Sequence, residues 1–180
     1  GGLDCYIQTS ADTVIGPDVI ASDAGLANLS DAQMFTNFTG APDLATYRNR
    51  VGIRTLSNAE AQTLDDNGGV QGQAIVIQNN NDGTGDISLP NGTVGSRERP
   101  VVLIINGNWT GGNVTVHGAV YVTGNIVVTG SPLVYGVVLV EGTVSGSGSL
   151  DVVFDPLTAE NAANRTGRPG LIPGSWRDWN

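Results

Sequence analysis

The side chain best suited to acid–base chemistry is His117, the only histidine in the 180 residues. An imidazole titrates near neutral pH and serves as a general base when a second group fixes its orientation. Alone it cannot build a multi-histidine zinc site. A second candidate is the run Asn79-Asn80-Asn81-Asp82-Gly83-Thr84-Gly85-Asp86, dense in the oxygen ligands that calcium prefers. Asn80, Asp82 and Asp86 are its strongest ligands, although the spacing departs from a helix-loop-helix calcium site and no downstream glutamate closes the set. Trp176 and Trp179, with Arg177 between them, suit stacking on a sugar or a base as well as packing against the body of the protein. Asn28, Asn37, Asn91, Asn108, Asn113 and Asn164 each begin an Asn-x-Ser/Thr triplet, which a Thr-rich β-chain acquires by chance and which matters only where a glycosyltransferase acts.

These residues need a scaffold, and the scaffold is written in the glycines. From Gly112 to Gly148 a glycine returns every sixth residue, at Gly112, Gly118, Gly124, Gly130, Gly136, Gly142 and Gly148. Two places after each stands Val114, Val120, Ile126, Pro132, Val138, Val144 or Leu150, and four places after comes valine in every hexad but one. Six is even, so strand alternation carries all three columns to the same side from hexad to hexad. That pattern predicts a short parallel β-solenoid, with three hexads closing a triangular coil of about 18 residues. The register then stacks His117 on Tyr135, Tyr135 on Val153, and Tyr121 on Leu139. Seven hexads supply a little over two coils, and Val101-Val102-Leu103-Ile104-Ile105, apolar throughout and so buried on both faces, adds part of another.

A solenoid this short exposes open sheet edges at its ends. The outward column is also apolar, with Tyr121, Val127, Leu133, Tyr135, Val137 and Leu139, so another element must cover one face. Short helices upstream supply that cover. Ser30 and Gln33 have capping-box spacing ahead of Met34, Phe35 and Phe38, and Gly40 ends the helix. Pro42-Asp43 opens a second helix running past Arg48, Arg50 and Arg54, and Ser57 and Glu60 cap a third that ends near 65–69. The chain is thus one mainly β domain: a helical cap and lead-in over 1–70, a solenoid core over 71–156, and a docked tail over 157–180.

Composition narrows the function. All eight basic residues are arginine against 17 acids, a net charge of −9, which disfavours a broad nucleic-acid or anionic-membrane interface. Cys5 has no partner for an internal disulfide. On a hexad solenoid, His117 is placed as in hexapeptide-repeat acyltransferases, but those need more coils and carry one large aliphatic residue per hexad. No catalytic residue or cofactor site is assigned, and the calcium loop is the one metal candidate.

Five stretches resemble one family, the C-terminal globular part of PilX-type pilus assembly proteins, minor pilins of type IV pili. They are Leu29 to Gly40, Arg99 to Gly107, Val116 to Gly124, Ser149 to Pro156, and the ending Pro173-Gly174-Ser175-Trp176-Arg177-Asp178-Trp179. The resemblance implies a non-enzymatic protein of a Gram-negative cell surface. It would be held in the inner membrane, facing the periplasm, by a hydrophobic N-terminal helix that these residues do not contain, and would then act in pilus priming or tip display. Its implied partners are other minor pilins and the pilus tip adhesin. The alternatives are a tip receptor for surface glycan, calcium or DNA, and an acyltransferase using His117.

Overall fold

A computed structural model describes residues 28–64, 70–79 and 85–164. They form a parallel β-solenoid of three faces. The first face stacks β1 (Ile53–Ser57), β2 (Ala74–Gln78), β5 (Val101–Asn106) and the second halves of β7 (Val114–Val122) and β9 (Leu133–Val140). The second stacks β3 (Asp86–Ile87), β6 (Asn108–Thr110), β8 (Ile126–Val128) and β10 (Val144–Gly146). The third stacks β4 (Gly92–Val94), the first halves of β7 and β9, and β11 (Asp151–Val153). Every pairing is parallel.

The 18-residue register holds in the last coils, where His117 lies opposite Tyr135, Tyr121 opposite Leu139, and Tyr135 opposite Val153. Earlier coils depart from it. Val101 pairs with Gly118 after 17 residues, Gly92 with Val114 after 22, Ala74 with Val102 after 28, and Ile53 with Ala74 after 21. Extra residues at the corners leave the strands in register while erasing the hexad from the sequence, so the stack begins at Ile53 rather than near residue 71 and reaches five strands on its first face.

Corners explain the glycines. Gly118 and Gly136 sit where β7 and β9 bend from the third face to the first, at φ of 153° and 141°. A Cβ on Gly118 would run into the carbonyl of Val101, and one on Gly136 into the carbonyl of Gly118, so each bend can nest on the one below only without a side chain. Between corners, inward Ile75, Ile77, Leu103, Ile105, Val120 and Val122 fill the lumen with no exposure.

Helices cover the outer surface of the first face. In α1 (Asp31–Thr39) the Ser30 hydroxyl accepts from the Gln33 N–H at 3.3 Å and the Gln33 carboxamide accepts from the Ser30 N–H at 2.9 Å, while Gly40 closes the helix in the left-handed region. Phe35 and Phe38 of α1 press on Tyr121, with ring centroids 5.4 and 5.3 Å away. Tyr47 of α2 (Leu44–Arg48) joins the same cluster with Val76 and Ile104. The second helix stops at Arg48 and does not reach Arg54, which stands on β1. Arg50 is drawn back instead: its guanidinium donates to the carbonyls of Thr39 and Gly40 at 2.8 and 2.5 Å, satisfying the end of α1, and Gly52 then turns the chain into β-branched Ile53 and Thr55.

Ser57 and Glu60 form their capping box, but α3 is only Asn58–Ala61, because the Thr63 N–H and hydroxyl both bond the Glu60 carbonyl and close the turn early. Downstream of the solenoid, at the start of the stretch assigned to the docked tail, Asp155 caps a further helix, α4 (Pro156–Ala163). Its Ala162 packs on Ala74, Val102 and Ala119, three small residues in one column that let the helix lie close to the sheet.

Candidate functional site

The sequence candidates are dispersed. His117 and Tyr135 stack as the register requires, 4.9 Å apart and 14° from parallel, on the outside of the bend that also holds Gly118 and Gly136. The His117 Nδ1 is buried without a hydrogen-bond partner. No acid or hydroxyl orients the ring among the bonds of the described residues, so the arrangement is a stacked pair within a ladder. Of the calcium candidates, Asn80 and Asp82 lie outside the described residues. Asp86 accepts a hydrogen bond from the Asn108 carboxamide at 2.9 Å, and its place is the first step of a corner ladder. Among the described residues no three His, Cys, Asp or Glu side chains gather to hold a metal ion. Cys5, the loop at 65–69, the pair Trp176 and Trp179, and Arg177 also lie outside the described residues.

That corner ladder is not foreseen from the sequence. At the corner between the first and second faces, Asn108 accepts from the backbone N–H of Asn125 at 2.9 Å, and Asn125 accepts from the N–H of Thr143 at 2.9 Å and from its hydroxyl at 3.0 Å. At the next corner Asn91 accepts from the N–H of Asn113 at 3.1 Å, and Asn113 accepts from the N–H of Ser131 at 2.9 Å. Three of these asparagines read as glycosylation triplets. The better signal is their place directly beside a corner glycine, as in Gly107-Asn108, Gly112-Asn113 and Gly124-Asn125, the first and last of these standing 17 residues apart, one coil. A corner leaves N–H groups without a strand partner, and a carboxamide one rung earlier takes them up.

A concave feature of the described surface lies where α1 and the start of α2 meet the first face. It is an open cleft of about 200 Å³ lined by Asp31, Asp43, Phe35, Leu44, Thr123 and Glu141. Glu141 of this lining accepts a hydrogen bond from the Tyr121 hydroxyl at 2.7 Å. Burial raises the Glu141 pKa, with the charge of Asp31 adding to it, and the Tyr121 hydrogen bond offsets only part of that. Burial also raises the Tyr121 pKa, as does its bond to Glu141, so the phenol keeps its proton. Asp43 is the opposite case: the Thr46 N–H it caps, at 2.6 Å, holds its carboxyl below the usual range. The cleft is acidic and shallow, suited to a cationic or hydrogen-bond-donating side chain of another protein.

The two ends of the solenoid differ. At the β1 end Leu56, Ala61, Leu64 and Val70 close over the lumen and are almost completely buried. At the other end Val138, Val140 and Val152 are only partly buried and Val144 is 36% exposed. No helix of the described residues is long and apolar enough to cross a membrane. Comparison with models of protein families, with curated proteins and with solved structures finds no match to this chain.

Proposed function

We propose that this chain is a non-enzymatic interaction module of the PilX-type minor pilin kind, acting in type IV pilus assembly, priming or tip display through protein–protein contacts. The observation that supports it most is convergence. The four described stretches that carry the resemblance are far apart in sequence yet build one body: α1 lies across β5 and β7 through Phe35, Ile104 and Tyr121, and β11 with the start of α4 extends the same stack. A rigid parallel stack with a helical cover, its polar residues engaged in ladders and caps, suits a part that is displayed and docked. Its partners are then other minor pilins and the tip adhesin, and its place the pilus at the cell surface after an inner-membrane stage facing the periplasm.

The test is genetic and biochemical together. Deleting the gene should strip or sharply reduce surface pili, with restoration by the wild-type copy, and the tagged protein should co-purify with minor pilins. Normal piliation in the deletion strain, with no minor pilin recovered, would overturn the reading.

A further inference from the structure

The turn after α2 holds an apolar side chain out in solvent. Val51 is fully exposed, and Arg48 and Arg54, exposed as well, stand three residues to either side of it. The turn is fixed at both ends. The Ile53 N–H donates to the Arg50 carbonyl at 3.2 Å, and Gly52 at φ 87° supplies the left-handed step that leaves Val51 at the apex. Behind it, the Arg50 guanidinium bonds the carbonyls of Thr39 and Gly40 and lies 5.5 Å from the centre of the Tyr47 ring. Such a knob, apolar at its tip and basic on its flanks, loses little conformational freedom when it is buried.

The acidic cleft has the converse character. Phe35 and Leu44 give it apolar walls, and Asp31, Asp43 and Glu141 supply carboxyl groups. It is lined by the first half of α1, whereas Arg50 grips the last residue of that helix and its cap, so knob and cleft lie at opposite ends of α1. A knob held there is kept out of the cleft of its own chain and is presented to a neighbour instead. The net charge of −9 repels copies in general and confines attraction to places where opposite signs meet. Segment 48–54 is the most basic such place: it carries three of the five arginines among the described residues, and the other two, Arg97 and Arg99, flank Glu98 on a turn where Arg97 is paired with Asp155. Because the two surfaces differ and each copy offers one of each, the contact is heterologous and repeats along a row of copies.

We propose that copies of this protein associate head to tail, with Val51 of one seated in the cleft of the next and Arg48 and Arg54 facing its carboxyl groups. The contact stands apart from the pilin reading, and its test needs no pilus.

Sedimentation velocity on the full chain should show the weight-average mass rising with concentration past that of a dimer. Two variants break one surface each. Val51→Ser/Arg54→Gln removes the knob and leaves Arg50 holding α1, while Asp31→Lys reverses a charge of the cleft and leaves the Asp43 cap of α2 and the Tyr121–Glu141 bond in place. Each variant alone should associate on the order of tenfold more weakly than the parent. Mixed in equal amounts they should form dimers and go no further, since the intact knob of the Asp31→Lys chain meets the intact cleft of the other and no second contact remains. A parent that stays monomeric at every concentration, variants that associate like the parent, or a mixture that behaves as the sum of its parts would each overturn the proposal.

Discussion

The first coils and the last coils of this solenoid are built by opposite means. In the first, spacing is irregular and burial complete: Ile75, Ile77, Leu103 and Ile105 have no exposure, with strands on both sides and helices outside. In the last, spacing is regular and burial partial, because the final coil has a neighbour on one side only among the described residues. Regular repetition therefore reports how the chain winds, while stability depends on how many neighbours each rung has.

The sharpest way to break that comparison is to empty the same column at two depths. Leu103→Ala should cost about 3 kcal/mol, since it opens a cavity among side chains that cannot collapse around it. Val138→Ala, partly buried at the last rung of the Leu103–Val120–Val138 column, should cost about 1 kcal/mol or less. Urea denaturation of both variants checks this. Equal losses would mean that the last coil is as well packed as the middle.

The same contrast explains what could be read in advance. The hexads from Gly112 to Gly148 disclosed the parallel stack, its three corners and the pairs His117 with Tyr135 and Tyr121 with Leu139. The coils between Ile53 and Asn106 were invisible as repeats because corner insertions change their length to 21, 22 or 28 residues without disturbing pairing. Capping boxes at Ser30 and Ser57 were legible because their bonds are local. Arg54 on β1 was not, since its place in the strand depends on pairing with Ile75 of β2, 21 residues further on. The Tyr121–Glu141 pair, 20 residues apart, likewise needs the fold to bring it together.

Corner hydrogen bonds should matter most where the lumen is thin. Asn125→Ala removes the acceptor for the Thr143 N–H and hydroxyl and should cost about 1 kcal/mol. Hydrogen exchange should show the Thr143 amide opening faster while the amides of β5 keep their protection. Unchanged exchange at Thr143 would mean that the ladder is incidental.

A smaller effect should follow at α4. Burial alone would raise the Asp155 pKa, but bonds from Arg97, Thr158 and the Leu157 N–H, with the Arg97 charge, outweigh it and hold the carboxyl below its usual range. A depressed carboxylate contributes stability above its unfolded pKa and loses it as pH falls through the folded value. Arg97→Ala breaks the 2.8 Å ion pair, whose arginine is largely exposed, and should cost about 0.5 kcal/mol at neutral pH and less in acid. Denaturation at both pH values checks the direction.

Glu141 reverses that sign and gives the smallest expected effect. Its carboxyl is half-buried beside Asp31 and its pKa is raised, so the folded state holds a proton that the unfolded chain has already released. Stability tied to Glu141 is complete below the unfolded pKa and is lost as pH rises through the folded one. Glu141→Gln keeps an acceptor for the Tyr121 hydroxyl and removes the titration. The variant should match the parent in acid and exceed it slightly at neutral pH, by a few tenths of a kcal/mol at most once solvent screening is counted. Because Asp155 and Asp43 titrate in the opposite direction, the informative quantity is the difference between variant and parent across the pH range, measured by thermal unfolding. A difference that stays flat would place the last coil's carboxylate in water, and the contrast between fully and partly buried coils would then extend to the cleft as well.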